Sequence, residues 1–148
     1  SQGVYSGGEG ELSDAASALD WVQSYNPNAR FCWIAGFSFG AWIGMQLLMR
    51  RPEISGFISI APPANLHDFS FLAPCPSSGL IVHGDRDKVV PLKDVQTLVD
   101  KLKTQKGIVI DQRVIQGANH FFENHVEELI ATCSDYLDQR LAEINASA

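Results

Sequence analysis

The 148-residue sequence has no run of basic residues, no hydrophobic stretch longer than a strand, no internal repeat and no low-complexity tract. Each absence excludes something. Lysine and arginine number 11 against 17 aspartates and glutamates, a formal net charge of −6. That balance argues against a surface for nucleic acid or an anionic membrane. Apolar runs of strand length leave no segment to span a bilayer. Cysteine is scarce too: Cys32, Cys75 and Cys133 make an odd number. They fall in an expected buried strand, a proline-rich loop and a helix, and supply neither a disulfide framework nor zinc-ligand spacing. A reducing, cytoplasmic setting is expected. The chain opens without methionine on Ser1-Gln2-Gly3-Val4-Tyr5-Ser6-Gly7-Gly8, a loop-like segment that is silent about targeting.

What is present fits a globular α/β protein. Apolar residues make up 45% and charged residues 19%, and the length suits one domain, residues 1–148, with a core of its own. Leu12, Ala15, Ala16, Leu19 and Val22 recur at helical spacing and predict a helix over Glu11–Tyr25, ended by Asn26-Pro27-Asn28. A strand from Phe31 and a nearly apolar helix over Phe39–Arg51 follow, the helix stopped by Pro52. Phe57–Ala61 reads as a second strand, Ala64–Ser78 as a loop and Gly79–His83 as a third strand. A helix over Pro91–Lys103, with proline at its first position, precedes a strand over Ile108–Ile115. Phe122 to about Ile144 reads as the last helix. Strands alternating with helices in this way predict a three-layer sandwich, a mostly parallel sheet with helices on both faces. Sites in such sheets form at the carboxyl ends of the strands.

The chain is organised around Phe31-Cys32-Trp33-Ile34-Ala35-Gly36-Phe37-Ser38-Phe39-Gly40-Ala41-Trp42. A strand runs into Gly36-Phe37-Ser38-Phe39-Gly40 and a helix begins at once behind it, the pattern of a nucleophile elbow. A serine at the apex of so tight a turn needs small flanks, which Gly36, Gly40, Ala35 and Ala41 supply. The apex lifts the hydroxyl out of the sheet, and the free N–H groups of the helix point at the same spot.

Two more strand ends carry chemistry. The third strand runs into His83-Gly84-Asp85-Arg86-Asp87-Lys88-Val89-Val90-Pro91, the fourth into Gln116-Gly117-Ala118-Asn119-His120-Phe121-Phe122. A serine nucleophile needs a base, and the base needs an anion to fix its tautomer. Ser38, then an aspartate, then His120 is the chain order that follows an elbow. Asp85 sits directly after the His83-Gly84 bend, where an Asx turn is its plainer role. His83 closes an apolar strand and reads as a packed, hydrogen-bonded histidine. His67 and Asp68 read as surface residues, His125 as a solvent-facing residue of the last helix, and Trp33 and Trp42 as packing around the elbow. Phe37, Phe69, Phe71 and Leu72 are candidates to line a substrate pocket, the last three as a small lid. Cys75 has no basic neighbour and reads as inert.

These three motifs together resemble the α/β-hydrolase superfamily, and more closely its small dienelactone-hydrolase-like serine esterases. The resemblance covers the carboxyl-terminal part of that fold and implies Ser38 as nucleophile, His120 as base and Asp87, the second aspartate of the H-G-x-x-D-x-x-V-P pattern, as acid. It implies an oxyanion hole that uses the Phe39 backbone N–H, hydrolysis of a small-molecule ester through an acyl-enzyme, and neither a metal nor an organic cofactor. Related hydrolases have further strands and a helix before the point matching Ser1, and a loop there gives the second oxyanion donor. The chain is therefore expected to be an incomplete domain, with the strand into Ser38 as an exposed edge that invites pairing, including with a second copy of the chain. Two other functions fit the fold: a non-catalytic binding module, and a serine peptidase, since prolyl-peptidase catalytic domains share the architecture.

Overall fold

The computed structural model describes residues 3–147. Ser1 and Gln2, part of the expected opening loop, lie outside the described residues. Gly3–Gly8 carries no strand or helix. Four helices and four strands follow: α1 (Glu9–Tyr25), β1 (Trp33–Phe37), α2 (Phe39–Arg50), β2 (Gly56–Ile60), β3 (Gly79–Gly84), α3 (Leu92–Lys103), β4 (Ile110–Ile115) and α4 (Val126–Ala146). A single 3-10 turn, Ser70–Leu72, interrupts the segment between β2 and β3.

The strands pair in the order β1-β2-β3-β4, all parallel. Side-chain alternation divides the core in two. Phe57, Ile81 and Ile110 face one side with Leu12 of α1, Met45, Leu47 and Leu48 of α2 and Val95, Val99 and Leu102 of α3. Ile58, Leu80, Val82 and Ile115 face the other, against Tyr136 of α4 and Phe122. The result is the expected three-layer sandwich. Strands buried on both faces read as continuous apolar runs, and β3 shows this most fully, with every residue buried. Arg51 ties α1 to α2, its Nη2 donating to Asp20 Oδ1 (2.7 Å), Gln23 Oε1 (3.1 Å) and Glu53 Oε2 (2.8 Å). Arg51 holds the Glu53 carboxyl down at about 2.

The structure shifts several sequence-based boundaries, and each shift has a local cause. Pro91 caps α3 rather than opening it, because its carbonyl takes the first amide bonds, from Asp94 (3.0 Å) and Val95 (3.5 Å). Ala61 has φ of 50° and leaves β2. The last helix begins at Val126, not Phe122. Asn119 competes for its first amides: Oδ1 accepts from the Phe121 and Glu123 N–H groups, both at 3.1 Å. Phe122 and Asn124 then take positive φ, and the Phe122 ring is buried in the second core. His125 is thereby the residue before the helix, half-buried near Gly117 rather than solvent-facing. Cys32 precedes β1 and is half-buried, since β1 is an edge strand whose residues are half-buried or exposed. No helix among the described residues is long and apolar enough to cross a membrane.

Candidate active site

Ser38 stands between β1 and α2 with φ of 53° and ψ of −120°, a backbone region that non-glycine residues seldom occupy. The surrounding bonds hold it there. Its N–H donates to the Ile60 carbonyl (2.8 Å), which locks the apex to β2, and its carbonyl accepts from Ala41 N–H (2.9 Å), which starts α2. A Cβ at Gly36 would overlap the Gly40 carbonyl and the Ala41 nitrogen, so glycine is required where strand and helix cross. Gly40 differs from expectation: a Cβ there would meet nothing, so only Gly36 answers to crowding within the elbow. Phe39 is the first residue of α2, and its N–H has no acceptor within the helix.

The loop after β3 carries Asp87. Its Oδ1 accepts from the Val89 and Val90 N–H groups, both at 2.8 Å, which folds the loop around the carboxylate. That leaves Oδ2 for His120 Nδ1, at 2.7 Å, and both side chains are buried. His120 Nε2 lies 3.0 Å from Ser38 Oγ, across 82 residues of sequence. A carboxylate can only accept, so Nδ1 carries the ring proton and the Nε2 lone pair faces the serine hydroxyl. The structure thus brings together the serine, the histidine and the second aspartate that the motifs single out.

Asp85 has a different task from the expected Asx turn. Its Oδ1 accepts from Gly117 N–H (2.7 Å), and Arg86 N–H donates to the Ala118 carbonyl (3.0 Å). These bonds lace the Asp87 loop to the His120 loop. Gly84 permits the approach, since a Cβ there would overlap the Ala118 backbone. Gly84→Ala is expected to lower stability by about 3 kcal/mol. It should also lower any turnover more than the stability loss explains, because the loops carrying Asp87 and His120 are forced apart. Urea unfolding and turnover on the same preparation check this.

His83 is buried, as expected, with Nε2 accepting from the Gln112 amide nitrogen at 2.9 Å, while its Nδ1 finds no partner among the described residues. Burial lowers its pKa, opposed by the charges of Asp87 and Asp85. The sign for stability follows. Below about pH 6.5 an unfolded histidine takes up a proton that the folded one resists, so this residue lowers stability progressively as pH falls below that value. The drop in urea midpoint from pH 7.5 to pH 5.5 is expected to be smaller in His83→Gln than in the parent protein.

The pocket candidates separate. Phe69 and Leu72 are buried in the α2–α3 core, with Phe71 packed against it. The Ala64–Ser78 segment is tied down rather than lid-like. Trp42 Nε1 donates to the Asp68 carbonyl (3.0 Å), Asp68 accepts from Ser70 through N–H (2.9 Å) and hydroxyl (2.8 Å), and Gln105 Nε2 donates to the Leu72 carbonyl (2.9 Å). The Ser70 bonds also lower the Asp68 pKa. His67 stacks on Trp42, with ring centroids 4.2 Å apart, so it is a packing residue and not surface decoration. A cavity of about 330 Å³ between this segment and α3 includes His67, Phe69, Leu72 and Lys101 in its lining, and none of Ser38, Asp87 or His120. Phe37, in contrast, stands with its ring centroid 5.3 Å from that of His120. The three cysteines are free, and burial raises the Cys75 thiol pKa, which suits an inert residue. Trp33 packs edge-on against Tyr136 at 6.0 Å.

Phe121 has no role in the sequence motifs, yet its ring lies edge-on to His120 at 5.1 Å and 6.2 Å from Phe37. Its position directly after His120 was the available signal, since the bend that presents the histidine must present its neighbour as well. The Asp85–Gly117 bond had no comparable signal, because it depends on how two loops meet.

Comparisons with known proteins bear on the family and the fold. The prolyl oligopeptidase family profile matches residues 56–143, from β2 into α4, and so includes Asp87 and His120. An uncharacterised protein of Rickettsia prowazekii is 53% identical over 141 residues, 93% of this chain and 59% of the relative. Among solved structures, a protein of unknown function from Agrobacterium tumefaciens is 70% identical, with a TM-score of 0.93 over 96% of this chain and 65% of that one. An α/β serine hydrolase homologue from Coxiella burnetii is 36% identical, with a TM-score of 0.78 over 87% of this chain and 59% of that one. The chain spans about three fifths of the length of these relatives. The chain belongs to the prolyl oligopeptidase family, within the α/β-hydrolase superfamily.

Proposed function

We propose that this chain supplies the nucleophile, base and acid of a serine hydrolase that cleaves ester-like bonds of small substrates by acyl transfer. The observation that carries the reading is the unbroken chain of contacts Ser38 Oγ–His120 Nε2–His120 Nδ1–Asp87 Oδ2, at 3.0 and 2.7 Å. His120 takes the Ser38 proton as the oxygen attacks the carbonyl, and Asp87 stabilises the imidazolium. The proton passes from Nε2 to the leaving oxygen, and an alcohol departs. Water then attacks the acyl-enzyme with the same base, releasing the acid and restoring Ser38. The Phe39 N–H, unpaired within α2, is the assigned donor to the oxyanion. The ester class rests on the likeness of the three strand-end motifs to the small esterases.

A second reading, a serine peptidase, draws on the prolyl oligopeptidase match. Labelling with a fluorophosphonate probe tests the nucleophile, and comparing a short acyl ester with a short peptide separates the two substrates. Labelling that is lost in Ser38→Ala, with ester turnover exceeding peptide turnover, is expected. Folded protein that takes no label would overturn the reading that this chain by itself assembles the site.

A further inference from the structure

Two aromatic rings beside His120, Phe37 and Phe121, belong to neither core cluster. Phe121 is 63% exposed and Phe37, at the edge strand, 40% exposed in this chain. Both rings border the imidazole, with centroids 5.1 and 5.3 Å from it, and they lie 6.2 Å from each other. Their backbones are fixed independently. Phe37 is the last residue of β1, paired in register with Ile60, and Phe121 N–H donates to Asn119 Oδ1 at 3.1 Å. Exposed aromatic surface held in place at a reactive group is a preformed apolar contact.

The chemistry says which half of the substrate it contacts. In the acylation step the leaving oxygen must approach His120 Nε2 to receive its proton, whereas the acyl carbon bonds to Ser38 Oγ. Groups that border the imidazole therefore border the leaving group. Resting on the serine-hydrolase reading above, we propose that Phe37 and Phe121 form a leaving-group subsite selective for esters of apolar, planar alcohols, such as arylmethyl alcohols, over esters of small polar ones. The rings offer faces and edges at the spacing that aromatic pairs prefer, and a third ring adds to them as a further offset or edge-on partner. A polar alcohol gains nothing from this contact and loses water.

The test is the ratio of kcat/KM for benzyl acetate to that for 2-methoxyethyl acetate, which share an acyl group and have alcohols of similar acidity. The ratio is expected to fall roughly three- to tenfold in Phe121→Ala, the range for loss of one aromatic contact. Phe121→Trp should preserve it, and Phe37→Ala should lower it in the same sense. Phe121 is largely exposed, so its removal leaves the core intact; a melting scan of each variant confirms that it is folded. A ratio in Phe121→Ala equal to that of the parent protein would overturn the subsite while leaving the hydrolase standing, provided that the parent takes the fluorophosphonate at Ser38. A parent protein that neither labels nor turns over either ester would remove the reading that this chain assembles the site, and this subsite with it.

Discussion

Ser38→Ala is expected to lower kcat on a short acyl ester by about 10⁶, and His120→Ala by about as much, with the double variant no worse than either alone. The equality follows from the geometry. In the proposed mechanism Ser38 Oγ is a useful nucleophile only while Nε2 at 3.0 Å can take its proton, and the imidazole has work only while that oxygen is present. Removing one removes the function of both. Stability should respond differently. Ser38 occupies a backbone region that costs free energy and is held by the Ile60 and Ala41 bonds, which alanine keeps because they are main-chain bonds. Unfolding by urea should therefore place Ser38→Ala close to the parent protein, so that lost turnover reports chemistry and not collapse. Additive losses in the double variant would show that the two residues do not act as a unit.

Asp87→Asn is expected to reduce kcat by about 10⁴ with little loss of fold. Asparagine is nearly isosteric, and its carbonyl oxygen can go on accepting from the Val89 and Val90 amides that Oδ1 now serves at 2.8 Å each. The remaining position becomes an amide nitrogen, which donates. It faces His120 Nδ1, where an acceptor now stands at 2.7 Å, so the ring adopts the other tautomer and Nε2 carries a proton towards Ser38 instead of a lone pair. Asp87→Ala separates the two duties of the residue. It should be as inactive and in addition less stable by roughly 1–3 kcal/mol, since the Val90 N–H, in a buried setting, loses its acceptor. Urea midpoints and kcat on all three proteins check this; equal stability of the alanine and asparagine variants would show that the loop does not depend on the carboxylate.

The two residues illustrate how much the sequence shows. Ser38 is legible because an elbow is a local object: Gly36 and the flanking alanines, an apolar strand before and an apolar helix behind all lie within a dozen positions. Asp87 is half legible. The pattern His83 to Pro91 marks the loop, but choosing between Asp85 and Asp87 without the resemblance needs to know which carboxylate meets His120 and which meets Gly117. That depends on contacts across 33 and 32 residues respectively. The last helix begins four residues later than its sequence pattern predicts, because the helical spacing of its apolar positions runs on through Phe122 while the Asn119 side chain captures the amides that would begin it there.

What the sequence by itself determined, then, is whatever a period or a short steric rule can fix: alternating strands and helices, a parallel sheet with helices on both faces, an elbow at Ser38 and the order serine, aspartate, histidine. These depend on neighbours along the chain, where backbone geometry decides. The tertiary structure alone decided that Phe69 and Leu72 sink into the core, that Asp85 fastens one loop to another, that Gly36 and not Gly40 is sterically required, and that Phe121 joins Phe37 beside the imidazole. Each of these is settled by which surfaces meet when strands 20 to 80 residues apart are laid side by side, and apolar residues in a loop read alike whether they end beneath a helix or beside a histidine.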